Sequence, residues 1–138
     1  MNLTANRKCF TREREGGRCM RKQEFKIIAV DFDGTLCTDC YPNIGMPNLA
    51  LIYLLKRLQS QGSQIILWTC RCGKELEEAK KWCDGFGLWF DAVNENVPFI
   101  IERYGSDSRK IFADVYIDDK ACFPWESKNE WREENENN

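Results

Sequence analysis

Histidine is absent from the 138 residues. That removes every mechanism resting on an imidazole base, a Ser-His-Asp arrangement among them, and every His-ligated metal site. Acid–base work near neutral pH then falls to carboxylates, lysine, tyrosine or cysteine. Long apolar runs are missing as well. The longest, Leu49 to Leu55, is far short of the roughly 20 residues that cross a bilayer. No apolar signal core opens the sequence. Charge is nearly balanced at a net −2, so composition advertises no nucleic-acid partner. These absences lead us to expect a soluble, cytoplasmic protein with no membrane partner, and they are silent on oligomeric state. Cysteine, by contrast, is abundant, with eight. In an exported chain eight would frame disulfides; without an export signal, reduced thiols are the expectation.

A chain of this length makes one domain. Residues 1–24 carry Arg7, Lys8, Arg12, Arg14, Arg18, Arg21 and Lys22 around Gly16-Gly17, and read as a flexible basic N-terminal extension. Residues 126–138 read as a polar C-terminal tail. The folded domain spans 25–125. Its apolar run over Lys26–Phe32 is continuous, which predicts a buried strand. Residues 37–46 read as a loop. Pro47 is placed to open a helix as its first residue. Leu49, Ile52, Leu55 and Leu58 make that helix's apolar stripe, widened by Leu51 and Leu54, and Gly62 suits its C-terminal cap. Gln64–Trp68 is a second buried strand, ending at Thr69. Lys74–Asp84 follows as a helix with Leu76, Ala79 and Cys83 inward, closed by Gly85 and Gly87. Phe90–Val93 is a short strand, Pro98–Tyr104 a helical turn, and Asp114–Ile117 a strand ending at Asp118-Asp119. Alternating strands and helices predict an α/β fold, with a Rossmann-like parallel sheet covered by helices on both faces. Chemistry in such sheets collects beyond the carboxyl ends of the strands. Asp31 and Asp33, Thr69, and Asp118 and Asp119 all fall at such ends.

The central motif is Val30-Asp31-Phe32-Asp33-Gly34-Thr35-Leu36, where a buried strand runs into a glycine turn. Alternation lets Asp31 and Asp33 start on one side while Phe32 points to the other. Two anions that close repel unless a cation or a proton relieves them. The combination suits Mg²⁺-assisted phosphoryl transfer, one carboxylate attacking and the other handling a proton.

Asp31-Phe32-Asp33-Gly34-Thr35 resembles the first motif of the haloacid dehalogenase (HAD) superfamily. Ile66-Leu67-Trp68-Thr69 resembles the second, Lys110 fits the lysine of the third, and Val115-Tyr116-Ile117-Asp118-Asp119 resembles the fourth. The resemblance covers about Phe25 to Phe123 and points to the compact phosphatase-like branch. It implies a phosphohydrolase that cleaves a phosphomonoester through an aspartyl-phosphate, with Mg²⁺ as cofactor. Asp31 would be the nucleophile and Asp33 the acid and then the base. Asp31 and Asp118 would hold the cation with the backbone carbonyl of Asp33, and Asp119 would bind it through water or orient that shell. Thr69 would donate to a phosphoryl oxygen and Lys110 would stabilise its charge. Gly34 would allow close backbone approach and offer amides to phosphate. An acid at Asp33 favours phosphoester cleavage over dehalogenation, because a halide leaves without a proton. The intervals Asp33–Thr69 and Thr69–Lys110 are too short for a separate cap domain.

Two other functional classes stay open. A nucleotide or nucleic-acid-end phosphatase would use the basic extension; a non-catalytic phosphate-binding or adaptor protein would keep only the fold. Arg71 and Asn94 are further candidates for substrate binding, with a structural ion pair and a turn as their bland readings. Asn96 shares that turn. Cys37, Cys40, Cys70 and Cys72 fall near the same loops and could in principle bind metal or form a redox pair, although C-x-C spacing is unusual for zinc. Trp68 and Trp82 read as core.

Overall fold

The computed structural model describes residues 26–122; the basic extension and the polar tail lie outside the described residues. Four strands form a parallel sheet: β1 (Ile27–Val30), β4 (Gln64–Leu67), β5 (Ala92–Val93) and β6 (Val115–Ile117), in the order β5-β4-β1-β6. β1 is flanked on both sides, with Val30 opposite Leu67 of β4 and Ile117 of β6. The architecture is therefore α/β and Rossmann-like, as the alternating pattern predicts.

Alternation along β1 divides the core in two. Ile28 and Val30 face α1 (Leu49–Ser60) and α2 (Gly73–Gly85), joining Ile52, Leu55, Ala79 and Cys83. Ile27 and Ala29 face the other way, toward Val97, Ile111 and Ile100 of α3 (Pro98–Tyr104). With both faces covered, every residue of β1 is buried, which is why its sequence shows no polar interruption. Trp82 packs its edge on Phe32 at 5.5 Å between ring centres, and Trp68 packs on the second cluster, as core residues should.

The helix ends follow the expected chemistry with one correction. Gly62 and Gly87 both adopt positive φ just past a helix. At each, the following residue donates back across the last turn: Ser63 to the Leu58 carbonyl at 3.0 Å and Leu88 to the Cys83 carbonyl at 3.1 Å. That is the two-bond closure glycine permits. Pro47, however, does not open α1. It ends a strand, and Asn48 caps the helix by accepting from the Leu51 amide at 3.3 Å. Asn is a better cap than a proline is a first residue when a preceding strand must be completed. Leu49 and Leu54, read as part of the buried stripe, are 43% and 39% exposed, because only one narrow face of α1 meets the sheet.

The larger correction concerns residues 37–46. They are not a loop but an antiparallel hairpin, β2 (Cys37–Cys40) with β3 (Asn43–Pro47). Cys-Thr-Asp-Cys offers no apolar alternation, so pattern alone could not reveal it. It stands on the same side as the carboxyl ends of the sheet, directly after the Asp31–Leu36 turn.

Candidate active site

The turn after β1 is organised around one carbonyl. The Phe32 carbonyl accepts from the amides of Thr35, Leu36 and Cys37 at 3.2, 3.0 and 3.3 Å. Gly34 adopts φ +82° there, a conformation side-chain-bearing residues avoid. A Cβ at Gly34 would also collide with the Asp119 carboxylate. Glycine is thus needed to let an acid from the far end of the chain enter the turn. Its amide is not offered to phosphate, since it donates to the Cys37 carbonyl at 2.8 Å. The expected phosphate-cradling role of Gly34 is corrected accordingly.

Parallel pairing brings the ends of β1 and β6 together, and the Asp31 amide donates to the Ile117 carbonyl at 2.9 Å. Asp31, Asp118 and Asp119 then converge, each offering an oxygen within 4.8 Å of the others. Thr35 sits among them. Its hydroxyl lies 3.2 Å from Asp31 and 3.4 Å from Asp119, and accepts from the Asp119 amide at 3.1 Å. One hydroxyl proton cannot serve both carboxylates. Burial pushes the Asp31 carboxyl up to about 6, against the pull of the Phe32 amide and Thr35, with Asp118 and Asp119 adding repulsion. Three hard carboxylate oxygens at this spacing could hold one divalent cation. Sequence pattern does not mark Thr35, because its place depends on acids from the ends of both β1 and β6.

Asp33 is not in that group by its side chain. Both its oxygens accept from Arg71, from Nε and Nη2, each at 2.8 Å. Arg71 is 2% exposed. Its remaining N–H groups donate to the Pro42, Asn43 and Glu75 carbonyls at 3.1, 2.9 and 3.3 Å. The hydrogen bonds to Asp33 hold the guanidinium even more firmly protonated. With every donor engaged, Arg71 is not a substrate-anion ligand. The structural ion pair, its bland alternative, is what the fold contains.

Thr69, at the end of β4, donates its amide to the Asn94 side chain at 2.8 Å, and its hydroxyl accepts from the Arg71 amide at 3.1 Å. The hydroxyl proton stays uncommitted among the described residues. Asn94 therefore positions Thr69 rather than meeting substrate through the same oxygen. Asn96 is buried and acts elsewhere. It accepts from the Phe112 amide and donates to Asp107, both at 2.7 Å, so it ties down the segment between α3 and β6. Lys110 lies on that segment with Nζ 5.7 Å from the centre of the Tyr116 ring. Among the described residues no ion pair joins it to the three acids.

Among the described residues the thiols form no metal site. Among the described residues the one group of His, Cys, Asp and Glu side chains able to hold a cation is the acid trio. Cys37 is buried against the Phe32 carbonyl, while Cys40, Cys70 and Cys72 are exposed and free. Burial raises the Cys37 thiol and pushes Cys83 up to about 12, which leaves both inert.

Fold and site together define an α/β domain with a parallel sheet and an acidic centre at the carboxyl ends of β1 and β6. No protein-family model matches the chain, and no curated protein matches it. A solved structure described as that of a conserved protein from Bacteroides thetaiotaomicron superposes with a TM-score of 0.62. The two chains are 39% identical, over 79% of this chain and 90% of that one. This chain belongs to the same family as the Bacteroides protein. No helix among the described residues is long and apolar enough to cross a membrane.

Proposed function

We propose that the protein is a Mg²⁺-dependent phosphohydrolase of the HAD type, without a cap domain, acting on a phosphomonoester. The convergence of Asp31, Asp118 and Asp119 from neighbouring parallel strands is the observation that carries this reading. Bound there, Mg²⁺ would offset the charge between an anionic nucleophile and an anionic phosphate.

The chain's own groups would act as follows. A carboxylate oxygen of Asp31 attacks phosphorus, and the bond to the leaving oxygen breaks as that oxygen takes a proton from Asp33. Water then attacks the aspartyl-phosphate and gives a proton back to Asp33, releasing phosphate and restoring Asp31. The uncommitted Thr69 proton would bond a phosphoryl oxygen. Lys110 would add its charge to those oxygens by leaving the Tyr116 ring.

Turnover of p-nitrophenyl phosphate with Mg²⁺, followed with a panel of phosphorylated metabolites and oligonucleotides, tests the reading. Asp31→Asn should lower kcat by roughly 10³-fold or more, as loss of a covalent nucleophile does. Activity that survives the substitution refutes the nucleophile, and phosphate binding without turnover in the wild type points to a non-catalytic binder.

A further inference from the structure

We infer that Arg71 is a positioning residue, one that fixes the plane of the Asp33 carboxylate for proton transfer and holds the turn of the β2–β3 hairpin against it. The inference rests on the phosphohydrolase reading above. Its basis is the completeness of the guanidinium's engagement. Five N–H groups meet two carboxylate oxygens and three backbone carbonyls. The Phe32 and Tyr41 rings lie 4.9 and 5.1 Å from its central carbon. One side chain thereby links the β1 turn, the hairpin turn at Pro42 and Asn43, and the first turn of α2.

Two parallel bonds to one carboxylate leave it a single orientation, which one bond would not. The guanidinium covers one edge of Asp33, so only the outward lone pairs can carry or accept a proton. Asp33 lies two residues from Asp31, on the same strand end, and a misaligned acid there would miss the leaving oxygen. Lysine cannot substitute, since a point charge with three donors matches neither the fork nor the count of acceptors. Arg71 itself exchanges no proton. The proton passes from Asp33 to the leaving oxygen in the first step and from water to Asp33 in the second.

Leaving-group dependence separates this role from a purely structural one. An alkoxide needs the proton; p-nitrophenolate leaves without it. The experiment measures kcat/KM for glycerol phosphate and for p-nitrophenyl phosphate on one preparation each of wild type, Arg71→Lys, Asp33→Asn and the double variant. The ratio of the two values does not depend on the fraction folded. In Arg71→Lys it should fall on the order of 10²-fold, toward the Asp33→Asn ratio, as loss of an aligned acid implies. The double variant should fall no further. Methylguanidine added to Arg71→Ala should restore part of the ratio. A wild-type ratio in Arg71→Lys, with Asp31-dependent turnover intact, overturns the positioning role and leaves the phosphohydrolase reading standing. Absence of Asp31-dependent turnover in the wild type removes both.

Discussion

The two ends of the parallel sheet use aspartate in opposite ways. At the amino ends, Asp91 and Asp114 each stand one residue before a strand and repeat the same contact. The Asp91 amide donates to the Ile65 carbonyl at 2.8 Å, and an Asp91 carboxylate oxygen accepts from the Ile65 amide at 2.7 Å. The Asp114 amide and carboxylate do the same with Ile27, both at 2.8 Å. These acids are matched to backbone donors, and they lock neighbouring strands in register. At the carboxyl ends, Asp31, Asp118 and Asp119 face one another; the Lys120 amide donates to Asp118 at 2.9 Å, and one Thr35 hydroxyl lies between Asp31 and Asp119. An acid paired with amides stabilises the fold. Acids set against one another repel unless a cation or a proton relieves them.

The sharpest attempt to break that contrast removes a carboxyl-end acid. Asp118→Asn should weaken Mg²⁺ binding, measured by calorimetry, by at least the roughly 10–100-fold that even outer-shell losses cost. Its folding should be unimpaired without metal, since a repulsive charge is lost. A second substitution attacks the other end. Asp114→Ala strands the Lys26 and Ile27 amides and should cost about 1–3 kcal/mol in urea unfolding. Mg²⁺ affinity of the folded protein should not move; a matching loss of affinity would erase the distinction between the ends. The smallest effect is on pH. Because Asp31 titrates near 6 in the fold against an ordinary 3.8, its ionisation opposes folding. In chelator, the melting temperature of wild type relative to Asp31→Asn should therefore rise as pH falls through about 6. With Mg²⁺ added, the stabilisation by metal should fade over the same interval, because protons displace the cation.

Much of this was readable from residues. The continuous apolar runs of β1 and β4 and the Pro98 start of α3 announced their elements, because burial on both faces and proline's fixed φ leave local marks. Asp31, Asp118 and Asp119 could be placed together, since strand ends in a parallel sheet lie at one edge. The β2–β3 hairpin was not legible. Its residues are mostly exposed, and its turn is held by Arg71, about 28 residues away in sequence. The duty of Arg71 could not be chosen from its position, because an arginine beside a site is equally suited to substrate or to a carboxylate. Only the tally of occupied donors decides. Thr35 was missed for a similar reason: a hydroxyl becomes informative when two acids from opposite ends of the chain reach it.

The glycine at 34 has a consequence for how the protein comes into being. The acid trio is assembled from the ends of the first and the last strand among the described residues, with partners 84 residues apart joined at Thr35. A ribosome that has not yet delivered residues 118 and 119 has made Asp31 but not the two acids that meet it. The acidic cluster thus forms only when the last described strand docks beside β1.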